Sequence, residues 1–152
     1  MNSLIFDSPI GRLLISENGG RLCGISFLSC SEPPIQRESR ILLEAKMQLT
    51  EYFAGIRKGF SLPISIEAGD FALSVYDLLQ LIPYGSTRTY SEIAAEAGKP
   101  KASRAVGLAC HSNPLPIIIP CHRVIGKNGA LVGYTSGLTV KKKLLRLEGI
   151  IL

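Results

Sequence analysis

Cys121, His122 and Arg123 stand side by side in this chain, a nucleophile next to a base and a cation. Cysteine reacts as a thiolate, and an imidazole or a positive charge nearby favours that form. The triplet closes the run Pro116-Ile117-Ile118-Ile119-Pro120. A short β-branched run between prolines reads as a strand-like core segment. The prolines lack amide donors and fix their own φ, so they end regular pairing and hold the next residues in one geometry. Adjacent side chains on an extended segment point to opposite faces. For His122 to act on Cys121, the backbone must turn there or a water must bridge them. Taken alone, a cysteine is most often a small buried hydrophobe, so other parts of the chain must supply the case for chemistry.

Cys110-His111 repeats the Cys121-His122 dipeptide, which raises the question of zinc. Zinc-finger ligands are separated by two or more residues around a tight turn, and these pairs are adjacent. No metal and no cofactor is therefore expected. Cys23 and Cys30 have no histidine near them in sequence, and packing or a local disulfide is expected of them.

The 152 residues suffice for one domain or two small ones, and 46% apolar against 19% charged residues marks a folded chain rather than a disordered one. A net charge of +5 and a pI near 9.2 suggest an anionic partner, nucleic acid first. No apolar run approaches membrane-spanning length, and the N-terminus lacks a signal-peptide pattern. A cytoplasmic location without membrane association is the expectation.

Two halves of different texture must position the triplet. The first opens with strand signals at Leu4-Ile5-Phe6, Leu13-Leu14-Ile15 and Leu22 to Phe27, with Asn18-Gly19-Gly20 as a hairpin turn. Residues Glu38 to Phe53 then show helical spacing. In the second half Asp70 is expected to cap a helix that ends near Pro83. Thr89-Tyr90-Ser91-Glu92 fits a capping box for a helix through Ala97, and Pro100 opens another from about Lys101 to Ser112. Two short helices joined by Gly98-Lys99-Pro100 form a helix-turn-helix candidate. Glycines 126, 129, 133 and 137 describe a loop or small wing, and a last helix starts at Thr139 and ends at Gly149.

The candidate recognition helix has small residues at Ala102, Ala105, Gly107 and Ala109, with Arg104 as the main long side chain among them. A helical glycine costs up to about 1 kcal/mol against alanine, so Gly107 calls for a reason. Helix–helix packing is one. Close approach to a DNA groove, with the arginine reaching into the base stack, is the other.

The ordered series Thr89-Tyr90, Ser103-Arg104-Ala105-Val106-Gly107, Asn113-Pro114, Pro120-Cys121-His122-Arg123-Val124, Gly133-Tyr134 and Leu144-Leu145-Arg146-Leu147-Glu148-Gly149 resembles the O6-alkylguanine-DNA alkyltransferases, or methylated-DNA–protein-cysteine methyltransferases. The match is specific across Phe71 to Gly149 and loose before Ala68. It implies an α/β (α+β) fold: residues 1–68 as a ribonuclease-H-like domain with an antiparallel sheet and a helix, and residues 69–152 as a mostly helical, winged helix-turn-helix-like domain. It implies DNA repair by stoichiometric, irreversible transfer of an alkyl group from O6-alkylguanine, and from O4-methylthymine, in duplex DNA to Cys121 after the nucleotide flips out.

By the same resemblance, His122, with Glu148 behind it and through a water, draws off the thiol proton. Asn113 braces the active-site turn, and Tyr90 presses on a phosphate and hands a proton to guanine. Arg104 fills the gap in the stack, with Ala105, Gly107, Tyr90 and Arg123 also on the DNA side. Pro116, Tyr134 and Thr135 line the base pocket. The partner implied is double-stranded DNA contacted in its minor groove by a monomer. Tyr76 departs from the family's usual tryptophan, and Cys110 and His111 from a common hydrophobic-basic pair. Two other readings compete. Non-catalytic binders of alkylated DNA usually carry tryptophan where Cys121 stands, and a cysteine hydrolase would need an oxyanion hole and an acyl substrate.

Overall fold

Alternation builds the first sheet. The computed structural model describes residues 1–28, 36–132, 134 and 137–152. In it β1 (Asn2–Ser8), β2 (Gly11–Asn18) and β3 (Arg21–Phe27) pair antiparallel in that order. Leu4 and Phe6 of β1 lie opposite Ile15 and Leu13 of β2, and all four are buried. Such cross-strand apolar pairs are the unit of sheet stability. Leu22 and Ile25 of β3 are also buried, and their spacing of three follows from a register shift opposite Ser16 and Glu17. Gly19 and Gly20 both take positive φ, 62° and 80°, which gives the tight hairpin that Asn-Gly-Gly predicts.

Helix α1 (Arg40–Phe53) covers this sheet with Leu42, Ala45, Leu49 and Tyr52, and Phe53 stacks on Phe6 at 6.3 Å between centroids. Each larger side chain buried this way contributes about 1.5–3 kcal/mol. The chain divides into two compact units, Met1–Ile66 and Glu67–Leu152.

The second unit is mostly helical: α2 (Asp70–Gln80), α3 (Tyr90–Glu96), α4 (Ser103–His111) and α5 (Leu138–Leu147). Asp70 is the first helical residue rather than the cap, which falls on Gly69, and α5 starts at Leu138, one residue before the expected Thr139. The capping box is present. Thr89 Oγ1 accepts from the Glu92 amide at 3.1 Å, and the Thr89 amide donates to Glu92 Oε1 at 3.3 Å. Just before it, β4 (Arg88–Thr89) pairs parallel with β5 (Val124–Ile125). That short ladder ties the start of α3, and so Tyr90, to the segment directly after Cys121-His122-Arg123. Val75 and Leu79 of α2, Ile93 of α3, Val106 of α4 and Leu144 and Leu145 of α5 form the core.

Candidate active site

The approach to Cys121 is a tight turn, not the strand that its β-branched run suggests. Ile117 sits at φ 78°, a region that costs a non-glycine residue about 1–3 kcal/mol. The Ile119 amide donates to Leu115 O at 2.9 Å. The Asn113 carboxamide grips both ends: Nδ2 donates to Ile119 O at 2.9 Å, and Oδ1 accepts from the Leu115 amide at 2.9 Å. Periodicity cannot separate such a buried turn from a strand, because both bury every isoleucine.

Cys121–Arg123 then form one 3₁₀ turn, which is the bend that an adjacent cysteine and histidine require. Cys121 is 1% exposed, and burial pushes its thiol up to about 11. The Asn113 side chain and the Lys141 ammonium pull the other way by favouring the thiolate. At neutral pH the thiol therefore keeps its proton, and reaction requires a base.

His122 is fully buried, and its Nε2 lies 2.6 Å from Glu148 Oε2. Glu148 also accepts from Arg123 Nε at 2.8 Å, Arg123 Nη2 at 3.1 Å and the Gly85 amide at 3.2 Å. Four donors converging on one carboxyl group require it to be ionised. Nε2 consequently carries the imidazole proton and donates it to Glu148. The opposite nitrogen, Nδ1, is buried with no hydrogen-bond partner among the described residues. Burial lowers the pKa of His122, and Glu148 only partly offsets this. The ring is thus neutral at pH 7 and able to accept a proton at Nδ1.

Arg123 departs from expectation. The resemblance puts it on the DNA side, yet it is 6% exposed and its guanidinium is committed to Glu148 and, through Nη1 at 2.7 Å, to Ile82 O. It is the counter-ion of Glu148 inside the fold. Gly85 completes this clasp at φ 79°, where a Cβ would lie 3.4 Å from Glu148 O.

Tyr90 and Lys141 form a second cluster. The Tyr90 hydroxyl donates to Val132 O at 2.8 Å. Lys141, wholly buried on α5, donates to Val124 O at 2.6 Å and Val132 O at 3.0 Å, and reaches Tyr90 Oη at 3.4 Å. Sequence reasoning passed over Lys141 because it opens the run Lys141-Lys142-Lys143, which reads as solvated charge. Its spacing with Leu144, Leu145 and Glu148 (i, i+3, i+4, i+7) was the available sign that it points inward.

On α4, Arg104 is exposed and Ala105 and Gly107 are half-buried. A Cβ on Gly107 would meet nothing within 4 Å, so packing inside the fold does not explain that glycine. Tyr90, Ser103, Arg104, Gly107, Leu108 and Val132 line a groove of about 440 Å³. Leu108 is 67% exposed at its edge. Pro116 and Tyr134 are buried. Thr135, Gly133 and Cys30 lie outside the described residues. Tyr76 is buried and donates to Ala109 O at 2.8 Å, Cys110 is a buried thiol pushed up to about 12 by burial, and His111 is exposed. Cys23 is a free thiol. Among the described residues no group of three His, Cys, Asp or Glu side chains is arranged to hold a metal ion, and no helix is long and apolar enough to cross a membrane.

Known proteins share this architecture. Residues 70–150 match the family model described as 6-O-methylguanine DNA methyltransferase, DNA binding domain, and residues 3–66 match its ribonuclease-like domain. A methylated-DNA–protein-cysteine methyltransferase of Methanosarcina acetivorans is 48% identical over 95% of this chain and 96% of its own. The constitutive one of Bacillus subtilis is 47% identical over 95% of this chain and 93% of its own. A crystal structure of Mycobacterium tuberculosis OGT in complex with DNA superposes with a TM-score of 0.88 at 41% identity, covering 97% of this chain and 92% of that one.

Proposed function

The chain belongs to the 6-O-methylguanine DNA methyltransferase family, and we propose that the sulphur of Cys121 accepts the alkyl group, with His122 and Glu148 as its proton relay. The observation that carries this is the 3₁₀ turn that sets a buried thiol beside a neutral imidazole whose Nε2–H is already committed to a carboxylate. An oriented base activating a nucleophile is the general logic of such a relay. The thiol proton passes, through a water, to Nδ1 of His122. Sulphur then forms a bond to the alkyl carbon as the bond from that carbon to guanine O6 breaks. The departing purine takes up a proton from Tyr90. The product is a thioether with no route back, so each molecule acts once.

A base inside a duplex cannot meet a buried thiol, so the nucleotide leaves the stack at a cost of a few kcal/mol. We assign Arg104 to the gap it leaves, with Ala105 and Gly107 letting α4 approach the minor groove and Pro116, Tyr134 and Thr135 lining the base pocket. Asn113 braces the turn. The protein works as a monomer in the cytoplasm on double-stranded DNA, its domains being residues 1–68 and residues 69–152, and O4-methylthymine is a second substrate. The minor groove suits this task because it carries little sequence information.

Incubation with duplex DNA carrying radiolabelled O6-methylguanine tests the reading. One label per protein molecule, on the peptide that contains Cys121, is the expected result. Label on Cys23, Cys30 or Cys110 moves the site, and tight binding without transfer favours the non-catalytic reading.

The exposed position of Arg104 leads to a second expectation. Arg104→Ala leaves transfer from the free base O6-benzylguanine unchanged but slows repair in duplex DNA by about 10- to 100-fold, the equivalent of losing part of the flipping energy. Equal slowing on both substrates assigns Arg104 to the chemical step instead.

A further inference from the structure

Tyr84 stands on the turn that follows α2, and its ring and hydroxyl touch opposite sides of the clasp on Glu148. The Ser86 amide donates to Pro83 O at 3.0 Å and Gly85 lies at φ 79°, so Tyr84 and Gly85 form the centre of that turn. The Arg123 guanidinium lies over the Tyr84 ring, with Cζ 5.8 Å from its centroid, a cation–π distance. The Tyr84 hydroxyl donates to Leu147 O at 3.2 Å. Burial, and then the charge of Glu148, raise the pKa of that hydroxyl, so it keeps the proton it donates.

Both contacts fall where the clasp needs them. Leu147 ends α5 and Glu148 is its cap, at the negative end of the helix, where a carboxylate is disfavoured. The last carbonyls of a helix lack helical partners. Here the Gly149 and Ile150 amides donate to Arg146 O and Leu145 O, and Tyr84 donates to Leu147 O. The backbone that carries Glu148 is thereby tied to the turn whose Gly85 amide donates to Oε1. On the other side, Arg123 and His122 compete for the same carboxylate. A guanidinium is a permanent cation with a rigid fork that matches a carboxylate. A shift of Arg123 therefore draws Glu148 with it, away from the imidazole. Ile82 O holds Nη1, and the Tyr84 ring covers the guanidinium.

We propose that Tyr84 is a positioning residue for alkyl transfer: by bridging Arg123 to the end of α5 it keeps Glu148 Oε2 turned to His122 Nε2, and so keeps Nδ1 as the nitrogen that takes the thiol proton. This rests on the proton-relay reading above. Tyr84 acts through Glu148, not on the substrate.

The test is single-turnover transfer from free O6-benzylguanine to wild type, Tyr84→Phe and Tyr84→Leu over a range of substrate concentration. The NMR signal of the His122 Nε2 proton and a melting curve are recorded for each. That proton lies in a buried 2.6 Å bond and is expected to exchange slowly with water in wild type. Wild-type label away from Cys121 overturns the alkyl-transfer reading and this proposal with it; label on Cys121 leaves the variants to decide. Tyr84→Leu, which loses both contacts, is expected to lower the saturated rate by at least about 10-fold, with half-saturation within about twofold of wild type. Its His122 proton is expected to exchange at least about 10-fold faster. Tyr84→Phe keeps the ring and is expected to lose about threefold in rate, the scale of one hydrogen bond. A wild-type saturated rate or unchanged proton exchange in folded Tyr84→Leu overturns the proposal, because a purely structural tyrosine lowers the melting temperature alone. A loss confined to half-saturation overturns it too, by placing Tyr84 against the substrate. Should Tyr84→Leu not melt cooperatively, Tyr84→Phe decides alone, and a wild-type rate or unchanged proton exchange in that variant overturns the proposal.

Discussion

Cys121→Ser is expected to lower alkyl transfer by at least about 10⁴-fold while leaving affinity for duplex DNA within about twofold of wild type. The first figure follows the scale on which removing an activated nucleophile silences other enzymes. The physical cause is specific to this site. Burial already raises the thiol to about 11, at the edge of what a neutral imidazole can draw upon. An alcohol begins several units higher and suffers the same burial, so the relay has no proton within reach. Affinity is spared because Cys121 is enclosed, 1% exposed, while the groove bearing Arg104 is on the surface. Single-turnover rates with labelled duplex, alongside a binding titration, measure both halves. Residual transfer above about one-hundredth of wild type defeats the assignment of Cys121 as acceptor.

The second large effect concerns Glu148. Glu148→Gln removes the negative charge that neutralises Arg123 and accepts the proton of His122 Nε2. Gln retains the shape and an oxygen for the Gly85 amide, but its NH₂ must face donors. Breaking a buried ion pair from one side costs about 3–5 kcal/mol, and this is the expected loss of unfolding free energy by urea titration. Transfer should fall about 10²- to 10⁴-fold, since the imidazole loses the partner that fixes its tautomer. A variant within about 0.5 kcal/mol of wild type, a margin typical of surface substitutions, contradicts the clasp described for residues 82, 85, 123 and 148.

How far the chain could be read from its letters depended on what each residue type reveals by spacing. The hairpin at Asn18-Gly19-Gly20 and the box at Thr89 and Glu92 were legible because turn and cap chemistry is local. An ordered motif pointed to Cys121, His122, Asn113 and Glu148, and the structure pairs His122 with Glu148 and sets Asn113 against the turn that leads into Cys121. Arg123 was placed on the DNA side with the resemblance, and no local rule shows that a carboxylate 25 positions away claims it. The Ile117–Ile119 segment was read as strand because composition reports burial and not φ. Lys141 was missed for the opposite reason to Arg123. Its neighbours are truly solvated, and only the helical phase of α5 distinguishes it from them.

The clasp on Glu148 has a meaning for the order in which the protein acquires reactivity. Its donors come from positions 25, 26 and 63 residues earlier in the chain, so loops of those lengths must close before the carboxylate can orient the imidazole. Closing such loops costs entropy that is recovered only when the contacts form. A chain with α2 and the Cys121 turn in place but α5 undocked therefore carries a cysteine whose base, His122, has not yet been oriented by Glu148. Reactivity therefore depends on closing these contacts as well as on the nucleophile itself. On the proposed single-use chemistry, this dependence protects copies in which α5 is undocked from being consumed by stray electrophiles before they reach DNA.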